Sequence, residues 1–193
     1  MKKLIYAIVC SFVLSQSVMA DDRDTAEQLI KTSLDEVISV LQKKDLCLEK
    51  KNSQINEIVT PMFDFQRMAM LTLGKKYWPG LSKEEKEKFT DLFVERMKDS
   101  YREKLTLYTD ERVIYETAVQ VKNKIKIQTY LISKDNKISI LYKLYHPKGQ
   151  WKIYDLEVQG VSIIQTFRSQ YTQILQNGTI DDLLIKLEKP VDG

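Results

Sequence analysis

The stretch "WKIYDLEVQGVSIIQTFRSQY", residues 151–171, decides how this chain folds. Its first half alternates apolar and polar residues, with Trp151 and Ile153 on one side, as a half-buried strand does. The alternation stops at Gly160. From Val161 onward the apolar residues recur at helical spacing, which predicts a helix over 161–175 that ends at Asn177-Gly178. A serine between strand and helix invites comparison with a nucleophile elbow. That motif needs glycine on both sides of the serine, G-x-S-x-G, because the turn is too tight for side chains. Here Ile164 stands where the second glycine would be. Gln165 follows Ser162 by three residues, which is the spacing of a capping box. Ser162 therefore reads as a helix cap.

Upstream of this stretch lie three more alternating runs. Val113, Tyr115, Thr117, Val119 and Val121 form the first. Ile125, Ile127, Thr129 and Leu131 form the second, and Ile138, Ile140, Tyr142 and Leu144 the third. "SKDNK" and "HPKGQ" are short turns between them. Four strands with short connections make an antiparallel meander.

Helical periodicity flanks the meander. Residues 24–41 carry an amphipathic stripe that begins with an Asp24/Glu27 capping box. "KKDLCLEKKNS" is a polar break. Residues 60–74 read as a second helix, with Thr60 as cap, Pro61 in the first turn and Gly74 closing it. Ser82 and Glu85 open a long helix whose stripe is Phe89, Leu92, Phe93, Met97, Tyr101, Leu105 and Tyr108. "TIDDLLIKLE" is a last helix before Pro190. Helices, then strands, then helices give an α+β domain: a four-stranded twisted antiparallel sheet wrapped by about five helices.

The remaining composition narrows the function. The chain has 193 residues, 43% hydrophobic and 30% charged, which suits one globular domain with a core. Residues 1–20 have Lys2 and Lys3, an apolar run too short to span a bilayer, and Val18 and Ala20 where signal peptidase reads. They are expected to be a cleaved signal peptide, with residues 21–193 a single exported domain. Removing both lysines lowers the net charge from +3 to about +1, too balanced to argue for nucleic acid. The exported part keeps one cysteine, Cys47, and so no internal disulfide. His146 is the lone histidine, on a turn before Pro147, and cannot make a metal site by itself. Asp155 and Tyr154, joined by Asp64, could form an acid and a tyrosine in an apolar cavity for proton transfer. Equally, Asp155 could bond to backbone near the strand end, and Asp64 could cap a helix turn. The apolar stripes make either a plain packed core or a cavity between helices and sheet, and periodicity does not separate the two. An exported, near-neutral domain rich in Met and aromatics suits a carrier of a hydrophobic ligand.

Three segments in order, "IVTPMFDFQRMAMLTLGKKYW", "LSKEEKEKFTDLFVERMKDSYREKLTLY" and "WKIYDLEVQGVSIIQTFRSQYTQILQNGTIDDLLIKL", resemble the MlaC family. Its members are the periplasmic phospholipid-binding proteins of the Mla lipid-asymmetry pathway, also called toluene-tolerance auxiliary proteins. The resemblance implies an antiparallel sheet wrapped by helices around an apolar cavity that holds phospholipid acyl chains. It implies a periplasmic monomer without cofactor, metal or catalytic residue. It also implies two partners: an outer-membrane lipoprotein–porin complex, and an inner-membrane ABC transporter with a lipid-binding ring subunit. A related branch is linked to hopanoids. Helix stripes and strand parity then place the expected lining at Met62, Phe65, Met68, Leu71, Phe93, Met97, Tyr101, Ile125, Ile127, Thr129, Tyr142, Leu144, Trp151, Ile153, Val161 and Ile164.

Overall fold

A computed structural model describes residues 22–106, 112–133 and 136–189, without the side chains of 101–106 and of Ser133. The signal peptide expected over 1–20, Tyr108, the centre of the "SKDNK" turn and Pro190 lie outside these residues, as do the side chains of Tyr101 and Leu105.

Helix α1, Asp22–Gln42, buries Ala26, Ile30, Ser33, Val37 and Val40 as its stripe requires. The polar break that follows is shorter than expected. Helix α2 begins inside it, at Leu48, and runs to Val59. Its one buried residue is Ile55, with Ile58 and Val59 partly buried beside it. Ile55 meets Val37 and Val40 of α1, and Lys51 Nζ donates to the Leu41 carbonyl at 2.7 Å near the end of α1.

Thr60 does not open the next helix; it is the C-cap of α2. With Pro61 and Met62 it forms a single 3-10 turn, and Asp64 caps α3, Phe65–Tyr77, accepting from the Arg67 N–H at 2.9 Å. The Asp64 N–H donates to the Ile153 carbonyl at 2.9 Å, which ties the start of α3 to the sheet. Gly74, with φ +70° and ψ −175°, ends the regular helix as the sequence predicts, and Lys75, Lys76 and Tyr77 form a further turn beyond the kink. Helix α4, Lys83–Thr106, starts on the expected box: Ser82 N–H to Glu85 Oε2 at 2.7 Å, and Glu85 N–H to Ser82 Oγ at 3.1 Å.

Among the described residues the sheet has six antiparallel strands rather than four: β1 Arg112–Tyr115, β2 Val119–Val121, β3 Lys124–Ser133, β4 Asn136–Tyr145, β5 Lys152–Val158 and β6 Val161–Ser162. The order is β1-β3-β4-β5-β6, with β2 also on β3. The first expected strand splits because Ala118 turns inward and gives its N–H to Glu27 of α1, not to a neighbouring strand. The sixth strand is the two residues after Gly160, which has φ +77°.

Ile125, Ile127 and Thr129 of β3 lie on one face, opposite Leu144, Tyr142 and Ile140 of β4. Between β4 and β5 the register slips. Lys143 pairs with Asp155, but Leu144 pairs with Ile153, so Tyr154 is the extra residue of a β-bulge. The slip turns Asp155 away from the face of Ile153. There, only 5% exposed, it accepts from Ser162 Oγ at 2.8 Å, from the Ile164 N–H at 3.2 Å and from Lys143 Nζ at 3.0 Å. Ser162 Oγ in turn accepts from the Gln165 N–H at 3.2 Å, as the sequence predicts, and opens α5, Ile163–Asn177. Helix α6, Ile180–Glu188, follows on a Thr179/Asp182 capping box. Arg168 of α5 donates Nε to the Leu71 carbonyl of α3 at 2.9 Å, and Arg96 of α4 donates to the Leu187 carbonyl of α6 at 3.0 Å.

Asp155→Ala would leave the Ser162 hydroxyl and the Ile164 N–H short of a partner, while Lys143 keeps Glu157. We expect a loss of about 2–4 kcal/mol in urea unfolding, against about 1 kcal/mol for Ser162→Ala. Equal losses would show that the carboxylate does not fix α5.

The two capping boxes carry a pH signature. Hydrogen bonds from Ser82 hold Glu85, and those from Thr179 hold Asp182, below their ordinary values. Their contribution is complete above the unfolded-state value and disappears as pH falls through the lowered one. The protection factors of the Ser82 and Thr179 amides, which donate to these carboxylates, should therefore hold from pH 7 to about pH 5 and fall, relative to those of mid-helix amides, only below about pH 4.

Candidate functional site

The expected lining residues divide between two apolar clusters. On the sheet side, Met62, Ile125, Ile127, Tyr142, Leu144, Trp151 and Ile153 are buried with Ala26 and Ile30 of α1, and Thr129 is fully buried on the same strand face. On the helix side, Met68, Phe93, Met97 and Ile164 are buried among α3, α4, α5 and α6, with Phe65 and Leu71 packed against them. Aromatic contacts interlock this second cluster: Phe89 meets Tyr171 at 5.7 Å and Phe93 meets Phe167 at 5.3 Å between ring centroids, both edge-on. Val161 belongs to neither cluster; at 60% exposure it faces solvent from β6. Tyr101 lies outside the described side chains.

Two residues absent from the expected lining pack against both clusters: Phe63 and Leu156. Phe63 sits in the irregular link before α3, where no period exists to assign it. Leu156 has the wrong parity with Ile153 for an unbroken strand. Only the bulge brings it to the Tyr142 side, where the two are paired. No sequence signal marks that bulge.

Two hollows stand out. One, of about 440 Å³, lies along the outer face of α5 and is lined by Gln165, Arg168, Ser169, Thr172, Gln173 and Gln176. The other, of about 310 Å³, lies between α1 and the sheet, with Asp24, Glu27, Gln28 and Lys31 on one side and Tyr115, Glu116 and Ile127 on the other. Neither is the apolar cavity expected between sheet and helices, where the two clusters meet through Phe63 and Leu156.

The possible proton-transfer group does not assemble. Asp155 is engaged by the start of α5 and by Lys143. Tyr154 instead stacks edge-on against Tyr145 at 5.8 Å, with the Lys124 ammonium 4.9 Å from its ring centre. Asp64 caps α3 and accepts from the Tyr145 hydroxyl. Burial and this bond push Tyr145 up to about 12. The Arg67 guanidinium lies 4.2 Å over the Tyr145 ring. His146 is exposed and stacks on Trp151 at 4.8 Å, and Cys47 is an exposed free thiol. Among the described residues no three His, Cys, Asp or Glu side chains group as metal ligands would. No helix among them is long and apolar enough to cross a membrane.

The sheet-side cluster does contain polar atoms. Burial pushes the Tyr142 hydroxyl up to about 12, with the Thr129 hydroxyl beside it acting the other way. Two buried hydroxyls find no partner in hydrogen-bonding geometry among the described residues: Thr129 on the sheet side and Tyr171 on the helix side.

This arrangement of sheet and helices has known counterparts. A solved phospholipid-binding protein from Ralstonia solanacearum, in complex with a phospholipid, shares the fold with a TM-score of 0.77 at 20% identity, over 84% of this chain and 94% of that one. The intermembrane phospholipid transport system binding protein MlaC of Haemophilus influenzae is 23% identical over 192 residues, covering 94% of this chain and 88% of that protein. The toluene tolerance protein ttg2D of Pseudomonas putida is 23% identical over 141 residues, covering 72% and 63%. The family model described as MlaC protein matches residues 31–189, from within α1 to just past α6, and the chain therefore belongs to the MlaC family.

Proposed function

We propose that this protein is a soluble periplasmic phospholipid carrier. It holds acyl chains between the sheet-side and helix-side clusters and shuttles lipid between membranes, which maintains outer-membrane lipid asymmetry. Residues 1–20 direct export and are removed, and 21–193 form the one lipid-binding domain. The protein works as a monomer. Its partners are an outer-membrane lipoprotein–porin complex and an inner-membrane ABC transporter with a lipid-binding ring subunit. The names of its relatives support the ligand class, since both the Haemophilus protein and the Ralstonia structure are described by phospholipid.

The observation that carries the reading is the seam. The sheet-side and helix-side clusters meet at Phe63 and Leu156, which pack against both. Acyl chains inserted there would replace protein–protein apolar contact by protein–lipid contact. Such an exchange costs little, whereas exposing a sixteen-carbon chain to water costs about 13 kcal/mol at about 0.8 kcal/mol per CH₂. Carriage of this kind asks for no bond to be made or broken. An enzyme using Asp155 and Tyr154 is the weaker reading because those two side chains are bound to different partners.

Protein purified without detergent should release phospholipid on organic extraction, read by mass spectrometry. A lipid-free preparation that also takes up no lipid from vesicles would overturn the carrier. Leu156→Trp places an indole in the seam. The fold should survive with at most about 1–3 kcal/mol of overpacking loss, while bound lipid per protein falls by half or more. Undiminished lipid in a folded Leu156→Trp variant would place the chains elsewhere.

A further inference from the structure

Thr129 has no exposed surface, and its Oγ1 has no partner in hydrogen-bonding geometry among the described residues. A buried donor left unmet is costly, so such a group calls for an explanation. Its two polar neighbours do not supply a bond. The Tyr142 hydroxyl beside it is its nearest candidate, but no bond between the two meets hydrogen-bonding geometry. The Tyr115 hydroxyl, on the residue paired with Thr129 across β1, donates to Asp35 Oδ1 of α1 at 3.1 Å.

Two neighbours of Thr129 in the sheet line a space that Thr129 itself does not reach. Tyr115, its cross-strand partner, and Ile127, two residues back on the same strand face, both line the 310 Å³ hollow under α1. That volume is about ten water molecules, enough for a small polar group but not for acyl chains. Its rim is charged, with Asp24, Glu27, Glu116 and Lys31, and Ile127 is its apolar member. A wet rim leading to a dry interior, with a hydroxyl donor beside it, matches the order of groups in a diacyl lipid: headgroup, ester carbonyl, chain.

Resting on the carrier reading, we propose that the Thr129 hydroxyl donates a hydrogen bond to an ester carbonyl of the bound lipid, which makes ester linkage a basis of selection. The lipid then lies with its ester region beside β3, its headgroup toward the α1 hollow and its chains in the apolar interior. A lipid with ether linkages and the same chains keeps every apolar contact but has no carbonyl to accept the bond.

The test is competitive loading of purified protein from vesicles holding equal amounts of diacyl phosphatidylcholine and its dialkyl ether analogue of matched chain length. Bound lipid is then counted by mass spectrometry. Wild type should favour the ester lipid about five- to tenfold. Thr129→Val, nearly the same shape without the hydroxyl, should lose that preference, bind the ether lipid as before and melt no lower than wild type. Thr129→Ser should keep the preference. Equal uptake of the two lipids by wild type would overturn the proposal while leaving the carrier intact, and so would a preference that survives in Thr129→Val. Uptake of neither lipid would overturn the carrier reading and this one with it.

Discussion

The fold turns on one slipped register. Because Tyr154 is extra in β5, Asp155 faces Lys143 and the start of α5 rather than the sheet-side cluster. A carboxylate buried there without partners would be strongly unfavourable. It is matched instead by the Ser162 hydroxyl, the Ile164 N–H and the Lys143 ammonium. Burial alone would lower Lys143, but its bonds to Glu157 and Asp155 outweigh that and hold it above the ordinary lysine value. The pairing therefore persists across the neutral range, and on the alkaline side it is lost as pH rises through the raised lysine value. Since α5 carries Phe167 and Tyr171 into the helix-side cluster, the place of that cluster follows from this contact.

The same slip explains why the interior is double. Ile153 points into the sheet-side cluster, Asp155 points out, and Leu156 returns to touch both clusters. The two sides are closed differently. The helix side is interlocked by ring pairs and by arginines that tie α5 to α3 and α4 to α6. The sheet side is covered by α1, which buries Ala26 and Ile30 in that cluster and adds polar contacts at its edges: Trp151 Nε1 to Thr25 at 3.1 Å, the Ala118 N–H to Glu27, and the Tyr115 hydroxyl to Asp35.

Much of this was legible in the residues. Ser162, Gln165 and Gly160 announced a strand that turns into a capped helix, and Ser82 with Glu85 announced α4, because caps are local chemistry with fixed spacing. Strand parity placed Ile125, Ile127, Thr129, Tyr142 and Leu144 on the buried face. What failed was non-local. Helix α2 has a short apolar face, Ile55 with Ile58 and Val59, which is held against Val37 and Val40 of α1. The break after Tyr115 exists because Glu27, far away in sequence, takes the Ala118 N–H. Val161 was assigned inward from the helical period, but it stands on β6 before the helix begins, and faces solvent. Leu156 and Phe63 were missed since their roles depend on a bulge and on an irregular link, neither of which has a period.

A carrier must also release what it holds, and this limits how strongly any one group can bind. The apolar part of a lipid sets the large term, about 13 kcal/mol for one sixteen-carbon chain in water, but that term nearly cancels when the chain passes from one dry environment to another. What remains to distinguish ligands are the few polar contacts inside the clusters. A net hydrogen bond from a neutral hydroxyl contributes about 1 kcal/mol, enough to favour one lipid over another and too little to trap it. Charged donors would bind more firmly, yet most charges around the interior are engaged within the protein, Lys143 on Asp155 and Glu157, Asp64 on the α3 N–H and Tyr145, and Asp35 on Tyr115, while the buried Arg67 Nε is left without a partner among the described residues. Selectivity left to neutral hydroxyls, with the carboxylates and ammonium groups engaged in holding the fold, is the division that lets such an interior both recognise a lipid and give it up.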